Sequence, residues 1–93
     1  FSRAISEKRI FIVPNPVKDV AALYFDAPIN EVITVRLIDG FGRIRSAQTL
    51  NYLAAFQKVD LNVRNLVPGY YAVEVMNSKG VSIARDILFK YSR

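Results

Sequence analysis

Apolar residues in this chain return at every second position, and that period decides most of what the chain can become. Ile33, Val35 and Leu37 alternate with Thr34 and Arg36, and Val59, Leu61 and Val63 alternate with Asp60 and Asn62. Tyr71, Val73 and Val75 alternate around Glu74, while Val81, Ile83, Ile87 and Phe89 keep one parity across 81–89. Such a period gathers the apolar set on one face of a strand, whereas an amphipathic helix needs a period near 3.6. Residues 10–13 and 20–26 are more continuously apolar and rich in β-branched and aromatic types, and 44–50 alternates weakly. About seven short strands are expected.

Turn chemistry separates them. Two of the three residues in Pro14-Asn15-Pro16 lack an N–H and cannot serve a ladder. Asp39-Gly40-Phe41-Gly42, Pro68-Gly69 and Asn77-Ser78-Lys79-Gly80 supply further turn signals. Asn51 to Phe56 is ambiguous, since Tyr52-Leu53-Ala54-Ala55 suits one helical turn but is too short for a stable helix. Strands of this length, with a turn every 8–12 residues or so, predict an all-β, immunoglobulin-like Greek-key β-sandwich. Residues 1–9 form an expected polar linker into the first strand, and 10–93 the domain. Phe25, Phe56, Tyr71 and Phe89 are expected in its core, and Tyr24, Phe41, Tyr52 and Tyr70 partly outside it.

The 93 residues contain no cysteine and no histidine, which removes disulfides, thiolate and imidazole metal sites, Ser-His-Asp triads and Cys-His dyads. Of the eight acids, Asp19, Asp26, Glu31 and Asp39 fall at strand ends or turns, where carboxylates usually hold backbone donors. No catalytic residue, metal or cofactor is expected. Asp39-Gly-Phe-Gly-Arg43 is followed by neither Lys-Ser/Thr nor a helix, so it is a hairpin turn and not a phosphate loop. Thirteen Lys and Arg against eight Asp and Glu leave a formal charge of +5. Those cations are dispersed, without the clustered aromatic interleaving of a nucleic-acid surface, and no apolar run approaches the ~20 residues of a membrane span. No nucleic-acid partner and no membrane insertion are expected. Phe1 stands where a start methionine would, and no basic stretch precedes a long apolar run, so the expectation is a piece of a longer protein with no signal peptide within it.

Four motifs then line up in order. Ile12-Val13-Pro14-Asn15-Pro16-Val17-Lys18-Asp19 resembles the YPNPxxD/N opening of the C-terminal sorting domain of the type IX secretion system, type A. Val35 to Arg43, with Asp39, Gly42 and Arg43, is similar to that family's hairpin. Asp60-Leu61 through Gly69 and Tyr71 to Val73 resembles its DLSxLxxGxYxV segment, and Gly80 with Arg85 to Lys90 its closing strand. Val13 stands where an aromatic is common, and Asp86 follows Arg85 where the family usually has a second basic residue.

The resemblance covers about residues 11–90 and implies a function that the residues alone do not disclose. Such a domain directs a larger exported cargo of a Gram-negative bacterium from the periplasm through the outer membrane to the cell surface or medium. The partners it implies are the outer-membrane translocon, a shuttle protein and a sortase-like peptidase that can remove the domain on surface attachment. Motif-matched recognition positions are Pro14, Asn15, Pro16, Asp39, Gly42, Arg43, Gly69, Tyr71, Gly80, Arg85 and Lys90. An exposed basic end made by Lys79, Arg85 and Lys90 is the expected direct contact, and Ser6, Glu7, Lys8 and Arg9 are an expected processing linker. A monomer or weak dimer is expected. The competing reading is an immunoglobulin-like or fibronectin-like accessory module that binds carbohydrate or protein.

Overall fold

Strands with one apolar face need a second layer to cover that face, and the chain supplies it by dividing its strands between two sheets. The computed structural model describes residues 9–91. Among these, seven strands form in chain order: β1 (Ile10–Val13), β2 (Val20–Phe25), β3 (Ile29–Ile38), β4 (Ile44–Leu53), β5 (Val59–Asn62), β6 (Gly69–Asn77) and β7 (Ser82–Lys90). One sheet has the order β1-β2-β5 and the other β4-β3-β6-β7, with every neighbouring pair antiparallel. The expected all-β sandwich of seven strands is borne out. The core lies between the layers, where Leu23, Phe25, Val59 and Leu61 of the first sheet join the same cluster as Ile33, Val35, Val73, Val75 and Leu88 of the second. Each such side chain, once fully buried, contributes about 1.5–3 kcal/mol of hydrophobic stabilisation.

Register places the loops. Ile38 lies opposite Ala72, Gly69 opposite Lys90, and Val20 opposite Asn62. The β1–β2 loop, the β3–β4 turn, the β5–β6 loop and the end of β7 therefore share one end of the sandwich. Arg9 enters β1 at the other end, because Ile10 lies opposite Phe25 at the far end of β2.

Three expectations change. Asn51 to Leu53 continue β4 rather than forming a helical turn, because Leu53 lies opposite Ile29 and both side chains are buried. Left-handed φ angles at Tyr52 and Phe56 belong to the end of that strand and the turn after it. Phe56 is not a core residue: its N–H donates to Phe25 O at 2.9 Å, and its ring, 60% exposed, stacks on Phe11 outside the first sheet.

The third change is the parity of β7. Val75 lies opposite Ala84 but Met76 lies opposite Ser82, so Ile83 is the extra residue of a β-bulge. Beyond it Ala84, Leu88 and Lys90 are the buried positions, with Leu88 fully buried and Ile87 49% exposed. Phe89 is half-buried on the outer face, its ring 4.7 Å from that of Tyr70. The bulge yields a direct prediction. Leu88→Ala should lose ~2–5 kcal/mol in urea denaturation and Ile87→Ala less than about 1.5 kcal/mol. The opposite ranking would mean that β7 keeps its odd residues inward.

Candidate functional site

The β1–β2 loop cannot continue a ladder through its prolines, and Asn15 between them supplies the hydrogen bonds with its side chain instead. Its Nδ2 donates to Ile87 O at 2.8 Å and its Oδ1 accepts from Phe89 N at 3.0 Å. The amide thus presents one donor and one acceptor to β7, as a strand residue would. Val17 continues the pairing: its N–H donates to Phe89 O at 2.8 Å, and Tyr91 N donates to Val17 O at 3.0 Å, in a parallel bridge. Residues 15–17, which follow a strand of the first sheet, thereby cover the edge of the last strand of the second. The Val13–Pro14 and Asn15–Pro16 bonds are both cis.

Lys90 belongs to the same junction. It was expected at an exposed basic end, but it is only 5% exposed, and its Nζ donates to Lys18 O at 2.6 Å. Its even parity after the bulge turns it inward, and the Lys18 carbonyl gives the ammonium a partner there. Of the three expected contacts only Lys79 and Arg85 remain on the surface.

Asp39 closes the β3–β4 turn. Its Oδ1 accepts from Phe41 N and Arg43 N, each at 2.9 Å, and its Oδ2 accepts from Arg43 Nε at 2.9 Å. Burial opposes ionisation of this carboxyl, but the bonds from Arg43 and Phe41 outweigh it and hold its pKa below the usual aspartate value. Gly42 takes φ 82°, which a side chain would oppose. Arg43, bound to Asp39, lies 5.3 Å from the centroid of the Phe41 ring. In the β5–β6 loop the Tyr71 hydroxyl donates to Val67 O, fixing the corner just before Gly69 begins β6. This is the tyrosine-corner arrangement known from other sandwiches.

The matched residues Pro14, Asn15, Pro16, Asp39, Gly42, Arg43, Gly69, Tyr71 and Lys90 therefore gather at one end of the molecule. Gly80 does not join them: it sits in the β6–β7 turn at the opposite end, where Asn77 Oδ1 accepts from Lys79 N and Val81 N. Arg85 lies midway along the outer face of the four-stranded sheet. There Glu74 stands between Arg36, whose Nη2 donates to Oε1 at 2.6 Å, and Arg85, whose Nη1 is 3.6 Å from Oε2. The expected processing residues Ser6, Glu7 and Lys8 lie outside the described residues. Arg9 is exposed, 3.9 Å from Asp26 and over the Phe11 ring.

Two participants were not singled out in the sequence. Glu74 was read only as a polar interruption of an apolar alternation, although register places it beside both arginines. Val17 was noted within its motif but not as a pairing residue. Neither carries a signal in sequence, because each role depends on which strand lies alongside.

An open pocket of about 280 Å³ lies at the loop end, lined by Asp39, Phe41, Arg43, Arg45, Val67 and Tyr70 among others. Among the described residues no cluster of three or more carboxylates is placed to hold a metal ion. A family model described as "Secretion system C-terminal sorting domain" matches residues 11–90. No curated protein matches the chain.

Two predictions follow from the junction and from the outer face. Asn15→Ala should accelerate hydrogen exchange at the Phe89 amide and cost about 1–2 kcal/mol of stability, with protection unchanged at the β3–β6 ladder. An unaltered Phe89 rate would remove Asn15 from the edge seal. At Glu74 the Arg36 hydrogen bond, opposed by burial and aided by the charges of Arg36 and Arg85, lowers the pKa in the folded state. Its stabilising contribution is present in full above the ordinary value of 4.5 and is lost as pH falls through the lower folded value. The stability gap between wild type and Glu74→Gln should accordingly narrow on acidification below pH 4.5 and stay constant above it, as read from denaturation midpoints across pH.

Proposed function

The chain belongs to the secretion system C-terminal sorting domain family and is a sorting signal for type IX secretion of an exported cargo, and from that premise we propose that its loop-bearing end is the surface read at the outer membrane. The match of the family model over residues 11–90 carries the sorting role, and the geometry below supports the choice of end. The family is not one of enzymes, and the chain acts through its interaction with the type IX secretion machinery. In the proposed route, the cargo reaches the periplasm by a separate signal, a shuttle protein and the outer-membrane translocon engage this domain, and a sortase-like peptidase removes it by cutting in the segment before β1. Delivery ends at the cell surface or in the medium. The domain itself catalyses nothing in this scheme.

Geometry supports the assignment of the loop end. β1 begins at the opposite end, since Ile10 lies opposite Phe25, so a cargo ahead of it joins the described domain away from the loops. Most matched residues at the loop end are engaged in the fold: Asn15 seals an edge, Asp39 and Arg43 close a turn, Tyr71 braces a corner, and Lys90 is buried. They act as the frame that presents the surface, and the side chains they leave exposed do the contacting. Sorting is then sensitive to folding, since an address built from three loops exists only in the assembled sandwich.

Fusing residues 1–93 behind a fluorescent passenger that carries an N-terminal export signal tests the reading in a bacterium with type IX machinery. The passenger should appear at the surface or in the medium, and the same fusion lacking 86–93 should accumulate in the periplasm. Retention of the full-length fusion would refute the sorting role. Surface delivery of the truncated form would show that β7 and its covered edge are dispensable.

A further inference from the structure

Three large apolar side chains stand mostly in water at the loop end, where the Phe41 ring meets the Arg43 guanidinium and the Tyr70 ring packs on Phe89. Phe41 is 85% exposed, Val67 72% and Tyr70 68%. Hydrogen bonding in the β3–β4 turn uses the backbone N–H of Phe41, and in the β5–β6 corner the carbonyl of Val67, and neither uses the side chain. Smaller polar residues would serve both positions, so these side chains forgo solubility for something other than folding. Exposed apolar groups that cluster in this way mark an interaction site, whereas scattered ones do not. All three line the same pocket.

Size and charge narrow its occupant. At about 280 Å³ the pocket falls below the usual 300–1,000 Å³ of small-molecule sites. It has the scale of a recess for one bulky side chain, the anchor of a protein contact. Arg43 and Arg45 lie on its wall, at 2.9 and 3.9 Å from the single carboxylate of Asp39. Two guanidinium groups share one carboxylate, which leaves the pocket net positive. A second copy of this chain would bring the same cations face to face, and the formal charge of +5 adds to that repulsion.

Resting on the sorting role above, we propose that this pocket receives a bulky apolar side chain from an acidic segment of a protein of the secretion machinery. Phe41, Val67 and Tyr70 enclose the anchor, and Arg45, more loosely tied to Asp39 than Arg43, meets the acid beside it.

Two measurements test the proposal independently. In the first, the purified chain is titrated with acetyl-Asp-Phe-Asp-amide and acetyl-Lys-Phe-Lys-amide while backbone amide shifts are followed. The acidic peptide should move the amides of Phe41 to Arg43 and Val67 to Tyr71, and bind about threefold or more tightly than the basic one. Equal binding, or shifts elsewhere, would overturn the proposal. Shifts caused by phosphatidylglycerol vesicles but not by the acidic peptide would replace it with a membrane surface, and shifts that depend on protein concentration would replace it with self-association.

In the second, the passenger fusion carries Phe41→Ser with Val67→Ser, Arg45→Glu, or Tyr52→Ser as a control at the opposite end. The exposed positions should leave the melting temperature close to wild type. The double variant should cut delivery by about tenfold or more, the scale of a lost anchor. Arg45→Glu should reduce delivery less, and Tyr52→Ser not at all. Full delivery of a folded double variant would overturn the docking site. Should the unmodified fusion itself stay in the periplasm, the sorting role falls while the peptide titration still decides the pocket.

Discussion

The hydrogen bonds between residues 15–17 and β7 are the contact on which the rest of the architecture depends. The two sheets share no strand, and this pairing joins them along one side while Gln48 Nε2, donating to Asp60 O at 2.9 Å, links β4 to β5 on the other. Val17, buried between them, fills the seam with a side chain while its backbone pairs with β7. Asn15 extends that pairing where proline on either side forbids an ordinary ladder. The same contact deals with an edge strand. An uncovered row of donors and acceptors from Ile87 to Tyr91 would invite pairing with another chain, and residues 15–17 occupy it.

Seen from that junction, the loop end is a set of mutually braced pieces. Lys90 ends β7 by reaching the Lys18 carbonyl of the β1–β2 loop. Asp19 O accepts from Val63 N at 2.8 Å, which joins the same loop to the end of β5. Tyr71 then ties the β5–β6 loop to the first turn of β6, across from the Asp39-closed turn. Each bond is worth only about 1 kcal/mol, yet together they fix two loops and the end of β7 relative to one another. Fixed loops make a surface whose shape is set before any partner arrives, which lowers the ordering cost of binding.

Much of this was legible in the sequence, and the boundary has a physical explanation. Alternation at 33–37, 59–63 and 71–75 marks strands because one face of each is buried in a local pattern that needs no knowledge of neighbours. Asp39 and Gly42 announce their turn for the same reason: side-chain capping and a positive φ are properties of a few consecutive residues. The inward turn of Lys90 was hidden, since lysine is rarely buried and its placement depends on an extra residue at Ile83. That bulge is a relation between β6 and β7 and leaves no mark within β7 alone. Glu74 was opaque for a similar reason, as its partners lie on two neighbouring strands. Phe56 was misplaced because an aromatic beside apolar residues suggests a core, while the backbone bond to Phe25 and a left-handed φ turn it outward.

The polarity of the sandwich bears on how such a domain works. β3 spans ten residues between the two ends, which at ~3.3 Å per residue separates them by roughly 30 Å. Arg9 enters β1 at one end and the braced loops sit at the other, so the surface proposed for contact lies away from the start of the first strand. Strand pairing and side-chain hydrogen bonds hold the loops in place without disulfides, and the chain has no cysteine with which to form one.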